Sequence, residues 1–180
     1  MLRLALMLTV TLWAGTAAAQ HAHHHSGGTP GGAIPTSPGQ DAFGAVAEVA
    51  RILLADPKTD WSRVSLDRLR DHLIDMHEVT LNALVVVEPI PGGFSARVTG
   101  QGRTRDAIGR MVPTHAAMMN GKRGWTLATE ALPDGVRLTV VSDDQRQTLV
   151  IRGLGFIGIM ASGDHHQPHH LEMARGTFSH

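Results

Sequence analysis

The 180-residue chain contains no cysteine and no tyrosine. The missing thiols exclude disulfide bonds, thiolate metal sites and covalent haem attachment through a C-x-x-C-H motif. They also exclude a lipid anchor on an N-terminal cysteine of a processed chain. Because no covalent link or thiolate–metal bond is available, stability has to come from an ordinary hydrophobic core.

Aromatic residues and net charge are scarce as well. Four phenylalanines and three tryptophans provide few platforms on which nucleic-acid bases stack, and 16 basic residues balance 16 acidic ones. No phosphate-binding loop, serine-nucleophile elbow or dinucleotide fingerprint is present. The sequence therefore argues against a nucleic-acid partner and leaves open whether the protein is an enzyme.

A long hydrophobic run occurs at the N-terminus, where residues 4–13 follow the positive charge of Arg3. This run is shorter than the roughly 20 apolar residues that a membrane-spanning helix needs. Ala17–Ala19 fit a small-residue cleavage site, so residues 1–19 are predicted to be a signal peptide. We therefore expect a periplasmic or secreted protein without a membrane attachment after cleavage; an uncleaved membrane anchor is the alternative.

Residues 20–39 are rich in histidine, glycine and proline. A segment of this composition cannot bury enough apolar area to fold, so it is predicted to be a disordered tail. His21 and His23 are candidate metal ligands in it. If cleavage leaves His21 first, the free amine, two amides and the His23 imidazole form a square-planar site for Cu(II) or Ni(II). Cleavage after Ala19 leaves only loose metal binding by the tail.

Residues 40–176 show the hydrophobic periodicity of one α+β domain. Five helices are predicted: residues 41–55, a second helix capped by Ser65, residues 103–120, residues 143–161, and a last helix from the terminal histidines to about Gly176. The second helix is expected to reach Leu81 and Leu84 with its buried face. Pro113 is expected to bend or split the third helix. Strands are predicted at residues 84–88, 94–98, 125–130 and 136–140. Gly155 and Gly158 in the penultimate helix indicate close helix packing or, alternatively, access for flat haem.

Two parts of this domain resemble each other at a shift of 42 residues. The Glu-x-x-Pro-x-Gly motif of residues 88–93 recurs at residues 130–135, and His-x-x-x-Met at residues 72–76 recurs at 115–119 with one residue of slippage. The pattern predicts a duplicated helix–β-hairpin unit followed by closing C-terminal helices. A small antiparallel sheet, of four strands, is then covered by helices on one face.

Twelve histidines are the most distinctive component of the chain, and imidazole is the commonest metal ligand among side chains. The densest cluster supplies these candidate ligands: His165, His166, His169, His170 and Glu172. A helix capped by Asp164 would place His165 and His169 on one face together with Glu172. His166 and His170 would then lie on the neighbouring face. Imidazoles at i and i+4 chelate one ion, but the glutamate of an H-E-x-x-H metalloprotease is missing. A solvated polar helix end is the alternative.

The repeated His–Met pairs, His72 with Met76 and His115 with Met119, are the second group of candidate ligands. Such a pair at i, i+4 suits copper or the axial positions of haem. If the repeat is functional, the two histidines lie close enough to share an ion. The alternative is that the methionines fill the core and that each histidine is satisfied separately.

Together these patterns predict an exported metal-binding protein, a carrier, buffer or sensor of copper, zinc or nickel. Copper and zinc are the metals most expected from histidine and methionine ligands. A metal-dependent enzyme that uses the C-terminal histidines is the first alternative, and a non-covalent haem-binding protein is the second.

Overall fold

The computed structural model describes residues 42–178. The predicted signal peptide and the tail with His21 and His23 lie outside the described residues. The elements that follow one another are α1 (Ala42–Ala55), α2 (Leu66–His77), β1 (Leu84–Ile90), β2 (Gly93–Thr99), α3 (Gly102–Met119), β3 (Thr126–Leu132), β4 (Gly135–Val141), α4 (Gln145–Met160) and α5 (His166–Arg175). Between residues 42 and 178, none of the helices is both long enough and apolar enough to cross a bilayer.

The four strands form one antiparallel sheet in the order β1-β2-β4-β3. Alternate side chains of the two central strands point into the main core, namely Phe94, Ala96, Val98, Val136, Leu138 and Val140. Helix α3 packs on them with Ile108 and Val112, and α4 with Ile151 and Ile159. The α+β class and the small antiparallel sheet predicted from the alternating pattern are therefore confirmed.

The two hairpins occupy equivalent places on either side of the β2–β4 pair. Gly93 opens β2 beside Val141, and Gly135 opens β4 beside Thr99. A Cβ built at either glycine would overlap a backbone carbonyl oxygen of the opposite central strand. Both hairpins thus need glycine at the same point, while the duplication itself remains a prediction from the sequence.

Three helix ends follow local rules that the sequence displays. The Ser65 side chain accepts a hydrogen bond from the backbone N–H of Arg68 and caps α2. The Asp144 carboxylate accepts hydrogen bonds from two backbone N–H groups at the start of α4. Gly176 ends α5 in the left-handed conformation, with φ of 69°.

The second helix is shorter than its hydrophobic pattern predicts. Helix α2 ends at His77 and continues as a π-helical turn, Glu78–Asn82. Leu81 and Leu84, which were expected on the buried face, are 65% and 71% exposed. A π turn uses i→i+5 hydrogen bonds, so it breaks the 3.6-residue period on which that expectation depended.

Two further features of the helices differ from the sequence-based expectation. Pro113 does not split α3, because buried neighbours such as Val112 hold the helix against the core despite one lost backbone hydrogen bond. Helix α4 is interrupted at Gly155, where φ is 58° and ψ is −168°. No atom lies within 4 Å of a Cβ built there, so Gly155 serves this backbone conformation and not close packing.

A second, smaller core joins the helices that carry the C-terminal histidines. It consists of side chains from α1, α2 and α5: Ala45, Val49, Ile52, Leu53, Leu69, Leu73, Leu171 and Ala174. Met76 packs against both cores. On α2, the buried carboxylate of Asp75 forms ion pairs with Arg103 and Arg110 of α3, at 3.3 and 2.8 Å. These contacts fix α2 and α5 against the sheet and α3.

The steric role of the hairpin glycines yields a prediction. Gly93→Ala and Gly135→Ala should each lower the free energy of unfolding by about 1–3 kcal/mol, because the added methyl displaces a β2–β4 backbone carbonyl. Gly109→Ala is the matched control, since Gly109 lies exposed inside α3 with open space around it. That change should raise stability by about 0.5–1 kcal/mol. Urea denaturation measures all three, and equal effects at the three positions would contradict the assignment.

Candidate metal centre

Helix α5 brings the terminal histidines to two different neighbours. The helix starts at His166, its N-cap residue is His165, and no side-chain hydrogen bond closes that cap. Since His165 and not Asp164 occupies the N-cap position, the prediction that Asp164 caps the helix is wrong. The ring of His165 turns toward α3 and that of His169 toward α2. Side-chain direction, set by tertiary packing, therefore separates the two histidines that were expected to chelate one ion.

The first group of imidazoles combines His115 of α3 with His165 and His166. One ring nitrogen from each lies within 4.8 Å of the others, and Nδ1 of His115 is 3.2 Å from Nε2 of His165. Two nitrogens that share a tetrahedral ion at the usual zinc–nitrogen distance are about 3.3 Å apart. These three residues, called here the outer group, thus have the spacing of ligands to one ion.

Backbone carbonyls at the end of α4 orient two members of the outer group. The Nε2 atom of His115 lies 2.8 Å from the carbonyl oxygen of Ile159. Because a carbonyl only accepts, Nε2 carries the proton and the lone pair of neutral His115 lies on Nδ1, toward His165. The backbone carbonyls of Met160 and Ser162 accept hydrogen bonds from the His166 ring. Metal-binding histidines are held in this way, through the ring nitrogen that does not face the ion.

Burial keeps the imidazoles neutral. It lowers the pKa of His115, His165 and His170 to about 4, since an imidazolium is poorly solvated there. The pKa of His166 is lowered for the same reason. The positive charge of Lys122 adds to the effect at His115 and His165. These rings are unprotonated at neutral pH and are competent as ligands.

The second group combines His72 of α2 with His169 and His170, and is called here the inner group. The ring centre of His72 lies 4.8 Å from that of His169 and 5.5 Å from that of His170. All three side chains are buried, whereas His165 and His166 are partly exposed. His72 and His115, which the repeat predicted to share an ion, thus contact different partners on α5.

The remaining predicted ligands take other places. Met119 is buried in the main core, with its sulfur close to the His165 ring: both meet a Cβ built at Gly163, at 2.8 and 2.6 Å. Met76 is partly buried between the two cores. Glu172 is exposed on α5, and in the described part of the chain no carboxylate belongs to the group with ligand spacing.

The Ile159 carbonyl is the feature of the site that the sequence did not reveal. A backbone acceptor carries no residue signature, and its availability depends on where α4 ends. The one related signal in the sequence is the end of the helical pattern near residue 161, because the last carbonyls of a helix have no partner within the helix.

Comparisons of the chain with protein-family models, curated proteins and solved structures find no match. The geometry and chemistry of the histidines therefore carry the functional inference.

The lowered pKa values predict how the metal-free protein responds to acid. Unfolded imidazoles take up a proton near pH 6.5, whereas the folded His115, His165 and His170 do so near pH 4. Between these values the unfolded chain binds more protons, so the free energy of unfolding should fall as the pH is lowered from about 6.5 to about 4. Thermal melts of metal-free protein across this range provide the measurement.

His170→Leu should reduce this pH dependence, and His77→Leu should leave it unchanged, since His77 is exposed on α2. Stability that is constant, or that rises as the pH is lowered from 6.5 to 5, would show that these imidazoles are not neutral in the folded protein.

Proposed function

We propose that the protein is an exported carrier or buffer of a transition-metal ion, which binds to His115, His165 and His166. The observation that supports this most strongly is the convergence of three ring nitrogens within 4.8 Å, two of them from adjacent residues and one from α3. Their neutral state and the carbonyl behind His115 are what a metal ion requires of histidine ligands.

The donor set favours copper or zinc. Imidazole suits zinc, copper and nickel, whereas magnesium and calcium prefer carboxylate and carbonyl oxygen. Haem is less well supported, since His72 and His115 contact other imidazoles and not the faces of an open slot.

A carrying role fits the surroundings of the outer group better than catalysis does. Neither of two described clefts, of about 540 and 560 Å³, is lined by a histidine. A hydrolytic metal centre also needs an acid or base near the ion. The carboxylates that lie beside the histidines in the sequence, Asp164 and Glu172, are both exposed. The second candidate is a metal-dependent enzyme, because three protein ligands leave a fourth position open for substrate.

The N-terminal tail has a place in this proposal. Its histidines, among them His21 and His23, bind divalent ions loosely and raise their local concentration near the folded part. Export follows from the sequence of residues 1–19, and mass spectrometry of the mature N-terminus tests it.

Ion binding to the purified, untagged protein tests the proposed function. Loss of one ligand should weaken the tightest zinc or copper site at least about 100-fold, since even loss of an outer-shell partner costs 10–100-fold. We expect this for His115→Ala and for His165→Ala in isothermal titration. Because only the folded chain presents all three ligands, added metal should also raise the melting temperature of the unsubstituted protein.

His77→Ala is the matched control, since this histidine is exposed on α2, and it should retain the tight site. Deletion of residues 20–39 should remove only weak ions. The same number of tightly bound ions in both ligand variants as in the unsubstituted protein would refute the assignment of the outer group.

A further inference from the structure

His170 is the most deeply buried histidine and does not belong to the outer group. It is 1% exposed, and neither Nδ1 nor Nε2 has a hydrogen-bond partner in the structure. Buried polar atoms in folded proteins are almost always paired, because each unpaired one keeps its full cost of desolvation. A ring with two unpaired nitrogens inside the core therefore points to a ligand.

The surroundings of His170 supply further nitrogen donors. His72 meets His170 and His169 edge-on, at 5.5 and 4.8 Å between ring centres, and the rings of the outer group are 4.4–5.4 Å apart. Imidazoles that share one tetrahedral ion place their ring centres about 5 Å apart. The two ring spacings that involve His72 are thus those of imidazoles around one ion.

The elements that carry the inner group are held firmly. Helices α2 and α5 share the smaller core through Leu73 and Leu171. Asp75, one turn beyond His72, is tied to two arginines of α3. The ring of Phe178 lies edge-on against His169, at 4.2 Å between centres, and covers it. The backbone positions of the three histidines are therefore fixed.

We propose that His72, His169 and His170 bind a second transition-metal ion, one turn along α5 from the first. This inference takes from the proposed function only that the ligand is a transition-metal ion, and it adds a separate site. Within residues 42–178 only the outer group already has its nitrogens gathered within 4.8 Å, so the inner rings must turn as the ion binds. The inner site is enclosed and should load slowly, whereas the partly exposed outer site should load first.

His166 and His170 connect the two sites. They are four residues apart on α5, so they lie one above the other on the helix surface. An ion released from the outer group therefore meets a buried imidazole one turn away. The arrangement suits transfer from an accessible position to a protected one.

The experiment counts ions in the full chain with His21, His23, His24 and His25 replaced by Ala, using Zn²⁺ alone as the probe. After dialysis we expect two ions per chain by elemental analysis. His170→Leu should retain one, and so should His115→Leu, because each variant leaves the other site intact. Met173→Leu, a buried neighbour on α5 without a ligand role, should retain two. Co²⁺ absorption spectra of the same variants identify which site is filled.

A second measurement checks that the loss of an ion in His170→Leu is not caused by unfolding of the variant. Metal-free His170→Leu should melt several degrees higher than the parent, since an apolar side chain removes the unpaired nitrogens. His72→Leu should lose the same ion and serves if the first variant does not fold.

The possible results separate the two proposals. One ion in the parent, lost in His115→Leu and kept in His170→Leu, overturns the inner site and leaves the proposed function standing. Two ions in the parent and in both inner variants also overturn it. No tightly bound ion in the parent overturns both proposals.

Discussion

Burial of imidazoles where two hydrophobic cores meet is the constraint on which the rest of the structure depends. Six histidines from three helices meet along α5, in an outer and an inner group. In such a place a protonated ring is expensive, and so is a ring nitrogen without a partner. These buried histidines lower the free energy of unfolding, and leucines at the same positions would not. Residues that reduce stability in this way are typical of sites kept for function.

Each of the two cores positions a different part of the candidate site. The sheet holds α3 and the end of α4, and so fixes His115 against the carbonyl of Ile159. The smaller core holds α5 against α1 and α2, and so brings the terminal histidines to both His115 and His72. Neither core alone positions all of the candidate ligands, so both cores are needed to assemble the two groups of histidines.

The sequence predicted the parts of the fold that depend on local rules. The alternation of Phe94, Ala96 and Val98 predicted a strand, and Ser65 predicted the start of α2, because both signals act over a few residues. It also nominated all six histidines. It did not predict their partners, because i, i+4 reasoning joins residues of one helix, whereas His115 meets His165 only through packing across 50 residues of chain. The interruption of α4 at Gly155 was not predicted either. A glycine within an apolar run does not show whether it allows close packing or a break in the helix.

Anomalous diffraction from crystals loaded with zinc or copper tests the central claim most directly, because it locates the ion and its ligands together. We expect an ion about 2.0–2.1 Å from one ring nitrogen each of His115, His165 and His166. The Ile159 carbonyl should still accept the Nε2 proton of His115 in that structure. Ions found only on the surface or on the tail, with the hydrogen bond between His115 and His165 intact in fully loaded protein, would contradict the claim.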